Sequence, residues 1–365
     1  MNIMTIAYLH GAGGAERQIV LLSNELARRG HNVTLCVLAE NNSNYPIENA
    51  VNIIDLSHAE GTGKLRIVRR CMALRKAIRQ IRPEIIVNYN LQSAYFCLTL
   101  PKSKRGKVVY SERGDPYDDE YSGMLGIIRD FTVLHMDGLV VQSEGARDFF
   151  PESVRKKSII IHNSVNVPQD KFPQPECREK RIVSVGRLHP QKNQRLLIDA
   201  FSIIARKHSE YVLDIYGDGR LRGELMKQAN DYGLSDRIHI YASRKDVWEC
   251  IHKAALFVLT SDYEGMPNAL MEAMALGLPC ISTDCRPGGA RTLIEDGVNG
   301  YVVPRQDVDK LAQRMDFLLT NDAEARRTGC EARRLQATHS NLMIFNKWEK
   351  FLKQLYCCRS TSKNC

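Results

Sequence analysis

The chain has 365 residues, a formal net charge of +9 at neutral pH and a pI near 9.0. That length implies about two domains, and a hydrophobic content of 44% is ample for two globular cores. No run approaches the roughly 20 apolar residues of a membrane-spanning helix, and Met1 to Tyr8 reads as a short strand, not a secretory leader.

The positive balance favours an acidic partner surface: ligand phosphates, anionic lipid or nucleic acid. The 11 cysteines are scattered and lack paired metal spacing. Cys36, Cys97 and Cys280 sit in apolar runs, as core thiols of a cytoplasmic protein would. Cys357, Cys358 and Cys365 fall in a polar tail expected to be frayed and functionally silent.

Ile3 to Tyr8 predicts a first strand, followed by His10-Gly-Ala-Gly-Gly-Ala-Glu16 and an amphipathic helix from about Ala15 to Arg29. Strand, glycine loop and helix build a phosphate-binding turn, because glycine lets the backbone approach an anion. The same pattern also fits a tight turn without a ligand. The spacing is not Gly-x-Gly-x-x-Gly, so the fingerprint of a nucleotide-dependent dehydrogenase is missing. Val33 to Leu38, Val51 to Asp55, Glu84 to Asn88, Lys107 to Ser111 and Gly138 to Val141 read as further buried strands. Helical patterns fall between several of them, as a parallel α/β sheet needs, and Ile159 to His162 closes this half.

Lys64 to Arg82 carries Lys64, Arg66, Arg69, Arg70, Arg75, Lys76, Arg79 and Arg82 with no acid among them. Leu65, Ile67, Val68, Met72, Leu74, Ile78 and Ile81 supply apolar surface at mostly helical spacing. Such a helix suits an anionic membrane surface; it equally suits a crossover helix that buries its stripe on the sheet. Lys102, Lys104, Arg105 and Lys107 extend the basic patch. A nucleic-acid interface is disfavoured, since aromatic interleaving and a binding motif are missing. Val108 to Ser111 then enters a polar loop in which Arg113 offers a cation to a phosphate or acceptor oxygen. Asp118-Asp119-Glu120 reads as solvated carboxylates, and no metal site is expected.

Pro168 to Lys180 is the best linker candidate. After it Arg181-Ile-Val-Ser-Val-Gly-Arg-Leu-His-Pro-Gln-Lys-Asn193 repeats the design of strand, glycine turn, cations and helix. Arg187 and Lys192 fall between a sheet end and a helix start, where ligands bind in open α/β sheets. Tyr211 to Gly217, Arg237 to Tyr241 and Ala255 to Thr260 predict further strands. Thr260 to Ser282 then reads as strand end, loop, helix and strand, with Pro267 at the first helical position and Gly277 as the stop. Glu264 and Glu272 frame that turn. Its amide-rich helix start and its carboxylates suit a guest carrying both phosphate and hydroxyls. A final helix, about Asn341 to Leu355, carries Trp348 and Phe351 and is expected to pack back across the first domain.

Glu264-Gly-Met-Pro-Asn-Ala-Leu-Met-Glu272 resembles the Glu-x7-Glu motif of retaining GT-B glycosyltransferases of family four. Gly13-Gly14-Ala15-Glu16-Arg17 resembles that family's Gly-Gly-x-Glu-Arg loop, and Gly186 to Asn193 its Gly-Arg-Leu-x-x-x-Lys-Asn segment. Gly297-Val-Asn-Gly-Tyr-Val-Val303 is similar to its Gly-x-Asn-Gly turn. The loop at Glu112, Arg113 and Asp115 departs from the family, many members of which carry a histidine there.

The resemblance implies an α/β, GT-B fold of two facing Rossmann-like domains with parallel sheets. The expected divisions are 1–170 (acceptor), 171–177 (linker), 178–340 (nucleotide sugar) and 341–365 (last helix and tail). It also implies retaining, metal-independent transfer of a hexose or N-acetylhexosamine, from a UDP-sugar by preference, to a saccharide acceptor. The wording of the motifs is similar to enzymes that extend polyprenyl-diphosphate-linked sugars for surface polysaccharides. Arg187 and Lys192 would grip the donor diphosphate, Glu264 the sugar hydroxyls and Glu272 the ribose. Gly13, Gly14, Ser243, Arg244, Gly265, Met266, Pro267, Asn268 and Ala269 would complete the donor site, with Glu16 and Arg113 on the acceptor side. The nucleotide sugar is a substrate, so no cofactor is expected. The protein is placed in the cytoplasm or on the inner membrane face. A sugar-nucleotide epimerase or a non-catalytic sugar-nucleotide binder is the competing reading.

Overall fold

A computed structural model describes residues 1–9, 13–41, 44–57 and 63–357. The side chains of Glu40, Asn41, Lys64 and Glu120 lie outside that description, as do His10, Gly11, Ala12, Cys358 and Cys365. Two compact units form: Met1–Ser164 together with the chain from Leu342, and Val165–Asn341. Their divide comes earlier than the expected linker because Val165, Val167 and Phe172 are already buried in the second unit's core.

The N-terminal unit is built on β1 (Asn2–Leu9), β2 (Asn32–Asn41), β3 (Val51–Asp55), β4 (Ile85–Asn88), β5 (Lys107–Ser111), β6 (Gly138–Val141) and β7 (Ser158–Ile160). They lie in the order β3-β2-β1-β4-β5-β6-β7, all parallel. Strands such as β4 and β6 are buried at every residue, which requires cover on both faces. Leu74, Ala77, Ala94, Phe96 and Val133, from helices Gly63–Ile81, Leu91–Leu98 and Met124–His135, cover one face. Ile19 and Leu22 of helix Gly14–Arg28 cover the other, with Trp348 and Phe351 of helix Asn341–Cys357. Gly138 makes room for this last helix, since a Cβ there would sit 2.8 Å from the Phe351 ring. Cys357, read as part of a frayed tail, is instead the helix's final residue.

The C-terminal unit uses β8 (Glu179–Val185), β9 (Val212–Tyr216), β10 (Ile238–Tyr241), β11 (Ala254–Leu259), β12 (Cys280–Thr283) and β13 (Tyr301–Val303). Their order is β10-β9-β8-β11-β12-β13, again parallel. Two parallel-sheet, Rossmann-like units make this an α/β chain, as expected. Cys36, Cys97 and Cys280 are fully buried, and desolvation pushes the first two thiols up to about 12, as inert core residues should be. No helix among the described residues is long and apolar enough to cross a membrane.

Candidate functional site

The order of the second sheet decides where its ligand goes. The chain steps outward from β8 to β9 to β10, then returns to the opposite side of β8 with β11. Loops leaving β8 and β11 therefore diverge, and a crevice opens at the carboxyl ends of those two strands. Into it the sequence delivers Gly186 to Asn193 and Thr260 to Pro267.

The two loops are sewn together by their own polar groups. Thr260 Oγ1 donates to the Lys192 carbonyl at 2.9 Å, and the Asp262 N–H donates to the Gln191 carbonyl at 2.9 Å. Gln191 Nε2 returns a bond to the Tyr263 carbonyl at 2.8 Å. Lys192 reaches across Gly186, where a Cβ would already stand 3.4 Å from its stem, and its ammonium pairs with Glu264 Oε1. Ser261 Oγ donates to the same oxygen at 2.8 Å. Both members of the pair are largely withdrawn from solvent, so neither charge is screened as it would be on the surface. Arg187, by contrast, is exposed, its guanidinium donating to Gln191 Oε1 at 3.4 Å.

The turn after Glu264 is held from behind. Its N–H donates to the Arg286 carbonyl at 2.7 Å, and Gly289 lets the Gly265 carbonyl approach to 2.5 Å of where a Cβ would be. Gly265, Met266 and Pro267 are buried, while Asn268 and Ala269 are half-exposed. Pro267 occupies the N-cap of helix Asn268–Ala275 and not its first residue, its carbonyl accepting from the Met271 N–H at 3.1 Å. It supplies no side-chain cap, so the helix start keeps the amide-rich character that anions favour. Glu272 is buried along that helix. Beyond β10, Ser243 gives its N–H (3.1 Å) and its hydroxyl to Asp218, while Arg244 forms an ion pair with Asp246 at 2.6 Å. These contacts hold the carboxylates of both aspartates below the usual range. The Ser243 amide is thus engaged within the chain.

In the N-terminal unit the order reverses between β1 and β4. The His10–Ala12 part of the glycine loop lies outside the described residues; Gly13 and Gly14 are exposed at the start of helix Gly14–Arg28, with Glu16 in its first turn. Arg113, beyond β5, stacks over the Tyr89 ring with its guanidinium carbon 4.0 Å from the centroid. Trp348 lies beneath, stacked on Tyr89 with 6.1 Å between ring centres. Arg113 Nη1 donates to Asn163 Oδ1 at 2.7 Å, and Gln142 Nε2 donates to the same oxygen at 2.6 Å. Arg113 Nε and Nη2 are enclosed without a hydrogen-bond partner among the described residues. Desolvation lowers the pKa of this cation and raises that of buried Glu112, which accepts from Tyr110 Oη at 2.9 Å and the Gly114 N–H at 3.0 Å.

The structure brings Lys192, Glu264 and the Met266–Ala269 turn together in one unit. Ser261 and Gln191 were not singled out from the sequence, although both lie inside motifs that were. Nor was the cavity of about 450 Å³ at the ends of β12 and β13, which Asp284, Arg286, Arg291 and Arg305 line. Those arginines lie in the connections that follow β12 and β13, which the sheet sets side by side.

Residues 168–335 match the model of the glycosyl transferases group 1, and residues 12–169 that of glycosyltransferase family 4. The amylovoran biosynthesis glycosyltransferase AmsD of Erwinia amylovora is 24% identical over 96% of this chain and 99% of its own length. An alpha-1,4-N-acetyl-D-galactosaminyltransferase of Campylobacter jejuni, named for a diNAcBac-PP-undecaprenol-linked glycan, is 24% identical over 88% of this chain and 90% of its own. Among solved structures, Anabaena HepE in complex with UDP superimposes with a TM-score of 0.79 at 17% identity, covering 97% of this chain and 100% of that one.

Proposed function

Because the chain belongs to the family 4, group 1 glycosyltransferases of the GT-B fold, we propose that it moves a hexose or N-acetylhexosamine from a UDP-sugar to a saccharide acceptor with retention at the anomeric carbon. The observation that carries this reading is Lys192 held on Glu264 in the crevice between β8 and β11. A cation, a carboxylate and a helix start converge there, which suits a diphosphate joined to a polyhydroxyl sugar. Arg187, Lys192 and the amides from Met266 to Ala269 stabilise the departing nucleoside diphosphate. Glu264 orients the sugar and Glu272 the ribose, with Ser243 and Arg244 beside the base. The leaving phosphate takes the acceptor's proton on the face from which it departs, so the work is orientation and charge stabilisation. Side-chain cations do this without a metal, and chelator treatment is expected to leave turnover unchanged.

UDP is favoured because the HepE relative in fold was solved with it. A lipid-linked acceptor is favoured by the undecaprenol-linked glycan of the Campylobacter relative, and a role in surface-glycan assembly by the amylovoran biosynthesis of the Erwinia one. Arg113, whose Nε and Nη2 have no hydrogen-bond partner among the described residues, and Glu16 serve the acceptor, Arg113 receiving a phosphate or acceptor oxygen. Work at the inner membrane face suits the basic helix Gly63–Ile81.

The test is a thermal-shift panel of UDP-, GDP- and ADP-sugars, followed by product analysis with the best donor. A sugar transferred with its anomeric configuration kept is the expected result. An isomerised donor, or one bound and left intact, overturns the proposal.

A further inference from the structure

Helices Gly63–Ile81, Leu91–Leu98 and Met124–His135 cover one face of the N-terminal sheet, the middle one packing against both others. Their inward residues are accounted for by the core. Their outward ones are not. Met124 is 71% exposed, Ile127 66%, Phe131 47% and Leu134 48%, spaced as one stripe of a helix. On the first helix Leu65, Val68 and Met72 are 54%, 52% and 58% exposed, again one row. Scattered exposed hydrophobics are ordinary, but two rows flanking one helix mark an interaction surface.

The charges beside these rows select the partner. Arg66, Arg69, Arg75 and Arg79 share the first helix with no acid, and Lys102 and Lys104 follow the middle one. Asp130 is the sole acid of Met124–His135, and Arg129 pairs with it at 2.9 Å. The acids nearest it along the chain are Glu120 before it and Asp137 after it, and Asp137 is paired with Arg105 and Lys107. A second copy of this face would set cations against cations. An anionic bilayer satisfies both features at once, phosphates for the arginines and an acyl boundary for the apolar rows.

We infer that these two rows are the surface on which the N-terminal unit lies on an anionic membrane, with Met124, Ile127, Phe131 and Leu134 entering the headgroup–acyl boundary. The basic helix alone would give only salt-sensitive attraction; the Met124–Leu134 stripe adds the apolar hold. This deepens the lipid-linked-acceptor reading and rests on it for its purpose, while the binding itself is measurable without any transfer.

The experiment is co-sedimentation of the full chain with vesicles of phosphatidylglycerol and phosphatidylcholine, and of phosphatidylcholine alone. Wild type is expected to bind the mixed vesicles and to retain part of that binding in high salt. M124S/I127S alters the two most exposed positions of the stripe and is expected to lower partitioning by about tenfold or more. R66Q/R69Q is expected to weaken binding and flatten its salt dependence. Transfer to a water-soluble acceptor should stay at the wild-type level in M124S/I127S. The inference fails if wild type ignores anionic vesicles at low salt, or if M124S/I127S binds them unchanged. It fails equally if light scattering finds a dimer that this variant converts to monomer. Wild type that binds vesicles but transfers no sugar overturns the enzymatic reading and leaves the surface standing.

Discussion

Both units place a cation near the carboxyl ends of their strands, and they treat it oppositely. Lys192 in the C-terminal unit rests on Glu264, itself steadied by Ser261. Arg113 in the N-terminal unit rests on the faces of Tyr89 and Trp348 and on the Asn163 amide, and its Nε and Nη2 have no hydrogen-bond partner among the described residues. A paired charge is held in place before the ligand arrives and little is lost while the site is empty. A buried cation whose N–H groups are only partly satisfied is costly until an anion or oxygen reaches it. On the proposed reading the first cation would serve the donor and the second the acceptor.

Removing the paired cation should do most damage. K192A takes a charge from the leaving diphosphate and strands Glu264, so turnover should fall about 10²–10³-fold, with a circular-dichroism melt checking that the fold persists. An unchanged turnover number would leave the crevice without its proposed role. R113Q is expected to raise the acceptor KM about tenfold while the donor Kd holds; a shift in donor affinity instead would erase the distinction between the units. E272A should weaken donor binding by about tenfold as well, read by calorimetry with UDP, and with little change in acceptor KM.

The smallest effect concerns stability. Glu349 on the last helix meets Lys353, Arg29 at 2.9 Å and His31 at 3.1 Å, and these partners hold its carboxyl at about 2. A depressed folded value contributes stability above the ordinary carboxylate range, and that contribution fades as pH falls toward 2. E349Q should therefore cost about 1 kcal/mol near neutrality, and the gap from wild type should close in acid. A pH-independent gap would show that the helix is held by packing alone.

The sequence displayed the Lys192–Glu264 turn because its parts are contiguous. Glycine, cation, proline and carboxylate occur within two short segments, and periodicity identified the strands that present them. It displayed the fold for the same reason, since each parallel strand is a local apolar run. The Arg113 cluster was only half visible. Its cation could be picked out, but Tyr89, Gln142, Asn163 and Trp348 come from four distant stretches joined by strand order. The basic helix showed its charges clearly, yet its apolar residues divide by depth, Leu74 and Ile78 buried and Leu65, Val68 and Met72 outside. Helical spacing alone does not report which end of a helix leaves the sheet.

The last helix has a consequence for how the chain is made. Trp348 and Phe351 complete a core begun by Ile3 and Ile19, so the unit translated first is also the one finished last. A ribosome must deliver all of Val165–Asn341 before that core can close, while the second unit already holds every strand of its own sheet. A stop codon ahead of Leu342 would spare the second unit and leave its companion with an open apolar seam, prone to aggregation and proteolysis.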